Sequence, residues 1–147
     1  MFDKKWDDRF IDLAYKISSW SRDPSTRVGA VIVRPDKTIA SVGFNGFPRG
    51  VDDCPDRYSN RPLKYQMVLH AEPNAILSAR EPLNGYALFC VPFPPCSNCA
   101  AIIIQAGISN VICPAPTEDQ LERWGESLDI ASTMFKEAGV EVEYISG

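Results

Sequence analysis

The chain's single histidine, His70, lies in the stretch LHAEPNAIL, followed by Glu72 and Pro73. Further on, PPCSNC supplies Cys96 and Cys99. A C-x-x-C pair alone admits a redox dithiol, half of a structural zinc site, or chance. The redox reading leaves the histidine without a part. A closed structural zinc site needs four protein ligands, and one histidine with no second close cysteine pair supplies them poorly. His70, Cys96 and Cys99 together supply three ligands and leave a fourth position open, and open zinc sites are the catalytic kind. Taken singly, His70 also reads as a satisfied core histidine, and Glu72 as a first-turn acid complementing a helix dipole. Beside P-C-x-x-C at this spacing, the metal reading outweighs both.

Glu72 is the acid–base candidate. Zinc lowers the pKa of a bound water to about 7 in hydrolytic enzymes, and a nearby carboxylate can carry that water's proton to a leaving group. Proline is tolerated in the first turn of a helix, where its missing N–H has no intrahelical partner anyway. Pro73 therefore marks the start of a helix over 71–79, with His70 and Glu72 at its mouth. Cys96 and Cys99 open the next helix, predicted over 96–107. A helix N-terminus favours thiolates, the form that binds zinc.

The other elements follow from hydrophobic spacing. Trp6, Phe10, Leu13, Ala14 and Ile17 recur at helical intervals and predict a first helix over 6–20, stopped by DPST at 23–26. VGAVIV (28–33) reads as a strand buried on both faces, RPDKT (34–38) as a turn, and IASVGFN (39–45) as the returning strand. Residues 46–66, with Gly46, Pro48, Gly50, Pro55 and Pro62, read as one long loop. Strands are predicted over 86–93, 110–113 and 140–145. A last helix over 117–139 opens with Thr117 and Gln120 at capping-box spacing and ends at Gly139. The order α-β-β-α-β-α-β-α-β predicts a three-layer α-β-α fold, a mixed five-stranded sheet with helices on both faces. The later β-α-β steps are expected to be right-handed crossovers. With no repeat or linker in sight, the expectation is a single domain over 1–147.

Composition limits the partners. The 15 basic and 19 acidic side chains give a net charge of −4, which argues against binding long nucleic acid, whose affinity comes largely from phosphate neutralisation. A small anionic ligand needs only a few local cations. No apolar run is long enough for a transmembrane helix, and the charged start MFDKKWDDRF is unlike a secretory signal. A cytoplasmic protein without a membrane partner is expected. The five cysteines are odd in number, which speaks against a disulfide framework. Cys90 and Cys113 lie in apolar runs and read as buried thiols; Cys54 lies in a polar loop and has no evident role.

HAE followed by PCSNC resembles the signature of the zinc-dependent nucleoside and nucleotide deaminases. SRDPSTRVGAVIV (21–33), GFNGFPRG (43–50) and IIIQAGI (102–108) are similar to the deoxycytidylate (dCMP) deaminases, and the resemblance runs from about Trp6 to Tyr144. It implies one zinc per chain and hydrolysis of the 4-amino group of dCMP to give dUMP, a supply for dTMP synthesis, and ammonia. Glu72 would protonate the ring nitrogen and then the departing amine. The Pro94 carbonyl would accept a hydrogen bond from that amine, and the Ala71 N–H would hold the base's carbonyl oxygen. Asn45 would contact the sugar, its plainer role being a left-handed turn residue. Arg27, with Thr26, would take the 5′-phosphate, since a guanidinium suits a phosphate. Arg49, Arg61 and Lys64 are weaker phosphate candidates and read first as solvated surface charges. The resemblance also implies a homo-oligomer, from dimer to hexamer, with dCTP and dTTP as effectors.

Three features depart from the pattern. Phe44 stands where the family more often has tyrosine, and Pro73 where it has an ordinary apolar residue. Some members hold a second, structural zinc with additional histidines, which this chain lacks. Other readings are a deaminase of cytidine, CMP, a free base or an aminated antibiotic; a tRNA or DNA editing enzyme, disfavoured by the charge; and a non-catalytic zinc module. Glu72 argues against the module, since no ligand role requires that carboxylate.

Overall fold

A computed structural model describes residues 1–145. Helix α1 (Lys4–Ser18) begins at Asp3, whose carboxylate accepts from the Trp6 N–H at 3.1 Å. Its buried stripe is Phe10, Ile11, Ala14 and Ile17, the face that helical periodicity predicts. Strands β1 (Gly29–Val33) and β2 (Ile39–Phe44) form an antiparallel pair. Next come α2 (Pro55–Ser59), α3 (Arg61–Met67), α4 (Ala71–Ala79), β3 (Ala87–Val91), α5 (Ser97–Gln105), β4 (Asn110–Pro114), α6 (Glu118–Ala138) and β5 (Glu141–Ile145). The sheet order is β2-β1-β3-β4-β5, antiparallel across β2-β1-β3 and parallel across β3-β4-β5. The five-stranded mixed sheet is the one expected from the element order.

Every residue of β1 and β3 is buried, as their unbroken apolar runs predict. On one face, Phe10, Ile11 and Ala14 of α1 cover Val31, Val33, Phe89, Val91 and Ile112. On the other face, α4, α5 and α6 cover Ile32, Leu88, Cys90, Val111 and Cys113 through Ala71, Ala75, Ile103, Ala131 and Phe135. Two glycines permit this closeness. A Cβ on Gly29 would stand 2.1 Å from the Ala14 carbonyl oxygen, and one on Gly43 would stand 2.5 Å from the Ala75 nitrogen. The capping box of α6 is formed: Gln120 N–H donates to Thr117 Oγ1 at 3.2 Å, and Thr117 N–H to Gln120 Oε1 at 3.0 Å. Among the described residues, no helix is long and apolar enough to cross a membrane.

The segment 46–66 corrects an expectation. It is not one loop but holds two short helices, α2 (Pro55–Ser59) and α3 (Arg61–Met67). Each has its proline in the first two positions, where proline starts helices. Cys54 is the residue before α2, and the Asn60 side chain caps α3 by accepting from Leu63 N–H at 3.3 Å.

Candidate active site

The site lies where α4 and α5 begin. His70 is the N-cap of α4, with extended backbone (φ −69°, ψ 160°), and its carbonyl accepts the Asn74 N–H at 3.1 Å. Glu72 and Pro73 fall in the first turn, so the proline withholds no intrahelical bond. Cys96 is the N-cap of α5 (φ −70°, ψ 171°), and Cys99 lies within its first turn. The N1 amide of α5, on Ser97, donates to Ser127 Oγ of α6 at 2.9 Å. That bond satisfies one of the helix's orphan donors and fixes the cysteine turn.

Extended N-cap backbone lets the two helix starts converge. His70 Nδ1 lies 3.2 Å from Cys99 Sγ and 3.7 Å from Cys96 Sγ, and the three donor atoms lie within 4.8 Å of one another. Zinc bonds of about 2.1 Å to nitrogen and about 2.3 Å to sulfur put tetrahedral N and S ligands about 3.5 Å apart. The observed separations bracket that value. Cys99 is buried, Cys96 half-buried and His70 exposed, so the cluster opens to solvent on the histidine side.

The neighbouring Cys99 thiol and the His70 ring lower Cys96 to about 4. The contact between the two thiols pushes Cys99 up. A hydrogen bond with Cys96 holds His70 above the usual imidazole range. Such a donor set gives up protons to a cation.

Glu72 is 4% exposed, and its Oε1 has no hydrogen-bond partner among the described residues. Burial pushes its carboxyl up to about 7. An unpartnered buried carboxyl oxygen two residues from a metal ligand fits a site built to meet a further polar group.

The remaining candidates form a second cluster. Asn45 is buried, but no positive φ accompanies it, so it is not a left-handed turn residue. Its Oδ1 accepts the Val28 N–H at 2.8 Å and its Nδ2 donates to the Thr26 carbonyl at 2.9 Å. The amide thus clasps the turn that carries Thr26 and Arg27. Arg27 is exposed, with Nε donating to the Asp23 carbonyl at 3.3 Å. Gly46, the next residue after Asn45, exchanges backbone hydrogen bonds with Leu69, at 3.1 and 2.7 Å. That bridge ties the GFNG stretch to the residue before His70. A second tie runs from Asn74 Nδ2 to the Phe44 carbonyl at 2.8 Å. Ala71 and Pro94 are both buried beside the ligand segments.

Arg49 and Arg61 are exposed, and Arg49 donates to Ser78 Oγ at 3.3 Å. Lys64 is not a solvated surface charge. It is buried and pairs with the still more deeply buried Asp23. The Asp23–Lys64 pair and the Ser127 hydroxyl escape the sequence reading. Their partners lie 41 and 30 residues away, and no local pattern marks such contacts. Cys90 and Cys113 are buried free thiols, as expected.

Three comparisons with known proteins agree with this geometry. The family profile described as "Cytidine and deoxycytidylate deaminase zinc-binding region" matches residues 4–115. An Aliivibrio fischeri protein described as an uncharacterized deaminase in the luxG 3′ region is 52% identical, over 96% of this chain and 94% of its own. Mouse deoxycytidylate deaminase is 36% identical, over 92% of this chain and 77% of its own. The crystal structure of dCMP deaminase from cyanophage S-TIM5, in complex with dCMP and dUMP, superposes with a TM-score of 0.77 at 28% identity. That match covers 99% of this chain and 100% of the phage chain. The zinc ligands converge where the family's zinc-binding region requires them, and the chain belongs to the cytidine and deoxycytidylate deaminase family, a zinc-dependent hydrolase of C–N bonds with His70, Cys96 and Cys99 as its metal triad.

Proposed function

We propose that this deaminase converts dCMP and water into dUMP and ammonia. Zinc held by His70, Cys96 and Cys99 would supply a water made nucleophilic at neutral pH. Glu72 carries one proton to the ring nitrogen beside the reacting carbon and a second to the departing amine, both of them drawn from the water that is added. Burial raises the Glu72 carboxyl, which favours its holding a proton between the two transfers. The Pro94 carbonyl accepts a hydrogen bond from the amino group, and the Ala71 N–H holds the carbonyl oxygen of the base. Arg27 and Thr26 take the 5′-phosphate, while Asn45 faces the sugar with the N–H its clasp leaves over.

The observation that carries the nucleotide reading is the clasp. Asn45 binds the turn holding Thr26 and Arg27, and the next residue, Gly46, is bridged to Leu69 beside His70. The turn that carries Thr26 and Arg27 is thereby tied to the metal triad through two hydrogen-bonded steps. The substrates named for the mouse and phage relatives support the same choice. A second reading, the same chemistry on another aminated heterocycle, draws on the relative at 52% identity, which is named only as a deaminase. The family resemblance extends the proposal to a cytoplasmic homo-oligomer under dCTP and dTTP control.

The test is a deamination panel of dCMP, CMP, deoxycytidine, dCTP and adenosine, each with and without dCTP and dTTP. The expected result is the highest kcat/KM on dCMP, reduced far more by Arg27→Ala than the kcat/KM on deoxycytidine. A higher kcat/KM on deoxycytidine or adenosine overturns the dCMP reading, and equal losses in Arg27→Ala remove that residue from the phosphate role.

A further inference from the structure

The carboxylate of Asp23 is 1% exposed and accepts from three sides. Its Oδ1 takes the Ser25 N–H at 2.8 Å and the Thr26 N–H at 3.2 Å. Lys64 Nζ reaches Oδ1 at 3.0 Å and Oδ2 at 2.8 Å. Burial pushes the carboxyl up, but the hydrogen bonds from Lys64, Ser25 and Thr26 outweigh it and leave the group below the usual carboxylate range. The turn from Asp23 to Arg27 is therefore wound around one anion, whose ion-pair partner, Lys64, comes from α3.

Lys64 is itself fixed. Its N–H donates to the Asn60 carbonyl at 2.8 Å, and its carbonyl accepts the Val68 N–H at 2.8 Å. The next residue after Val68, Leu69, bridges to Gly46, and His70 follows. One position earlier in the turn, Arg22 pairs with Asp53 at 3.4 Å across the surface. Consecutive residues, Arg22 and Asp23, thus grip the segment that runs through α2 and α3 into the metal ligand. Removing a buried partner leaves an unpaired charge that must take a proton or reach water. Either outcome withdraws the acceptor that shapes the Ser25 and Thr26 amides. A buried ion pair contributes little net stability against an apolar replacement, so holding a shape is its better-supported role here.

We propose that Asp23 and Lys64 are positioning residues that set the Asp23–Arg27 turn for a substrate's 5′-phosphate. They touch no reacting atom; they act through the Thr26 amide and through the Asp23 carbonyl that holds the Arg27 side chain. The inference rests on the nucleotide reading given above. Arg27 supplies the phosphate contact because its Nε is tethered to the Asp23 carbonyl, while its two Nη groups make no hydrogen bond to protein among the described residues.

The experiment compares the parent with Lys64→Met, Lys64→Arg and Asp23→Glu on dCMP and on deoxycytidine, with zinc content and far-ultraviolet circular dichroism measured for each. Lys64→Met is expected to keep its zinc and to raise KM for dCMP at least about tenfold, the scale of a weakened charge-assisted contact, with kcat moved much less. Its loss on deoxycytidine is expected to be far smaller. Lys64→Arg restores most of the dCMP KM. If Lys64→Met does not fold, Asp23→Glu carries the test, since it keeps the ion pair while displacing the acceptor from the Ser25 and Thr26 amides. The same nucleotide-selective rise in KM is expected there. Parallel losses on both substrates, or an unchanged dCMP KM in a folded variant, overturn the proposal. A parent enzyme with no preference for dCMP over deoxycytidine overturns the nucleotide reading and this inference with it. A parent that prefers dCMP, with variants that lose both substrates equally, overturns the inference alone.

Discussion

His70 Nδ1 and Cys99 Sγ stand 3.2 Å apart across 29 residues of sequence, joining the first turns of two neighbouring helices. Both helix starts are held from outside, α4 by the Gly46–Leu69 bridge and α5 by Ser127. The two helix starts that carry the triad are therefore fixed by the surrounding fold, which limits the chain entropy lost when zinc binds.

Metal analysis should then find about one tightly held zinc per chain, since three ligands serve one open site. Cys99→Ser and His70→Ala are expected to lose that zinc and the deaminase activity together. Chelation should lower the melting temperature of the parent, because an ion that binds only the folded state stabilises it. Two tightly held zincs per chain would contradict the ligand count.

Glu72→Gln separates metal binding from proton transfer. It should keep zinc and lose deamination by about 10²–10⁴-fold or more, the usual worth of a positioned acid–base group. Burial holds the parent carboxyl near 7, against about 4.3 in an unfolded chain. A raised carboxyl costs nothing below pH 4; its penalty grows as pH climbs towards 7 and is full above that. The zinc-free Glu72→Gln protein should accordingly be more stable than the zinc-free parent at pH 8, by up to about 3–4 kcal/mol, and should melt with it at pH 4. Equal melting at both pH values would show that the parent carboxyl carries no burial penalty.

The helix starts at Pro73 and Thr117 are legible in the sequence because their rules are local: a proline in a first turn, and a threonine spaced three residues from a glutamine. The metal triad is legible through scarcity, since one histidine and one C-x-x-C leave few other combinations. Helices α2 and α3 are not, because five and seven residues are too few for a hydrophobic period and their prolines resemble loop punctuation. Lys64 looks like any other loop lysine until folding brings Asp23 to it from 41 residues away. Asn45 is legible as important from the GFNG match, but the clasp it makes depends on backbone groups at Thr26 and Val28, which carry no side-chain signature.

Gly43 sets how closely α4 lies on β2. A Cβ there would meet the Ala75 nitrogen at 2.5 Å and the Ala71 carbonyl oxygen at 2.6 Å, both of them backbone atoms that cannot rotate away. Gly43→Ala should push α4 off the sheet and cost about 1–3 kcal/mol, the usual range for overpacking. Because Ala71 lies between His70 and Glu72, the displacement should also weaken zinc retention. Denaturant unfolding and zinc release to a competing chelator measure the two effects. A fully stable, zinc-replete Gly43→Ala protein would show that the helix can shift without moving the triad.

The Asp23 carboxyl carries the acid sensitivity of the turn. Despite the upward push of burial, its bonds to Lys64, Ser25 and Thr26 hold it below the ordinary value. Such a group contributes its full stabilisation above its unfolded pKa, about 3.9, and loses it as pH falls through the lower folded value. In the parent, the melting temperature should therefore drop between about pH 5 and pH 3, in part through this residue. Asp23→Asn removes the titrating group and leaves Lys64 without its countercharge, so the variant should start lower at pH 7. Its melting temperature should then change less over the acid range, narrowing the gap to the parent as pH falls. Melting curves of the two proteins at half-unit pH steps check this, and a gap that stays constant down to pH 3 would mean that the Asp23 carboxylate gives the fold no charge-dependent support.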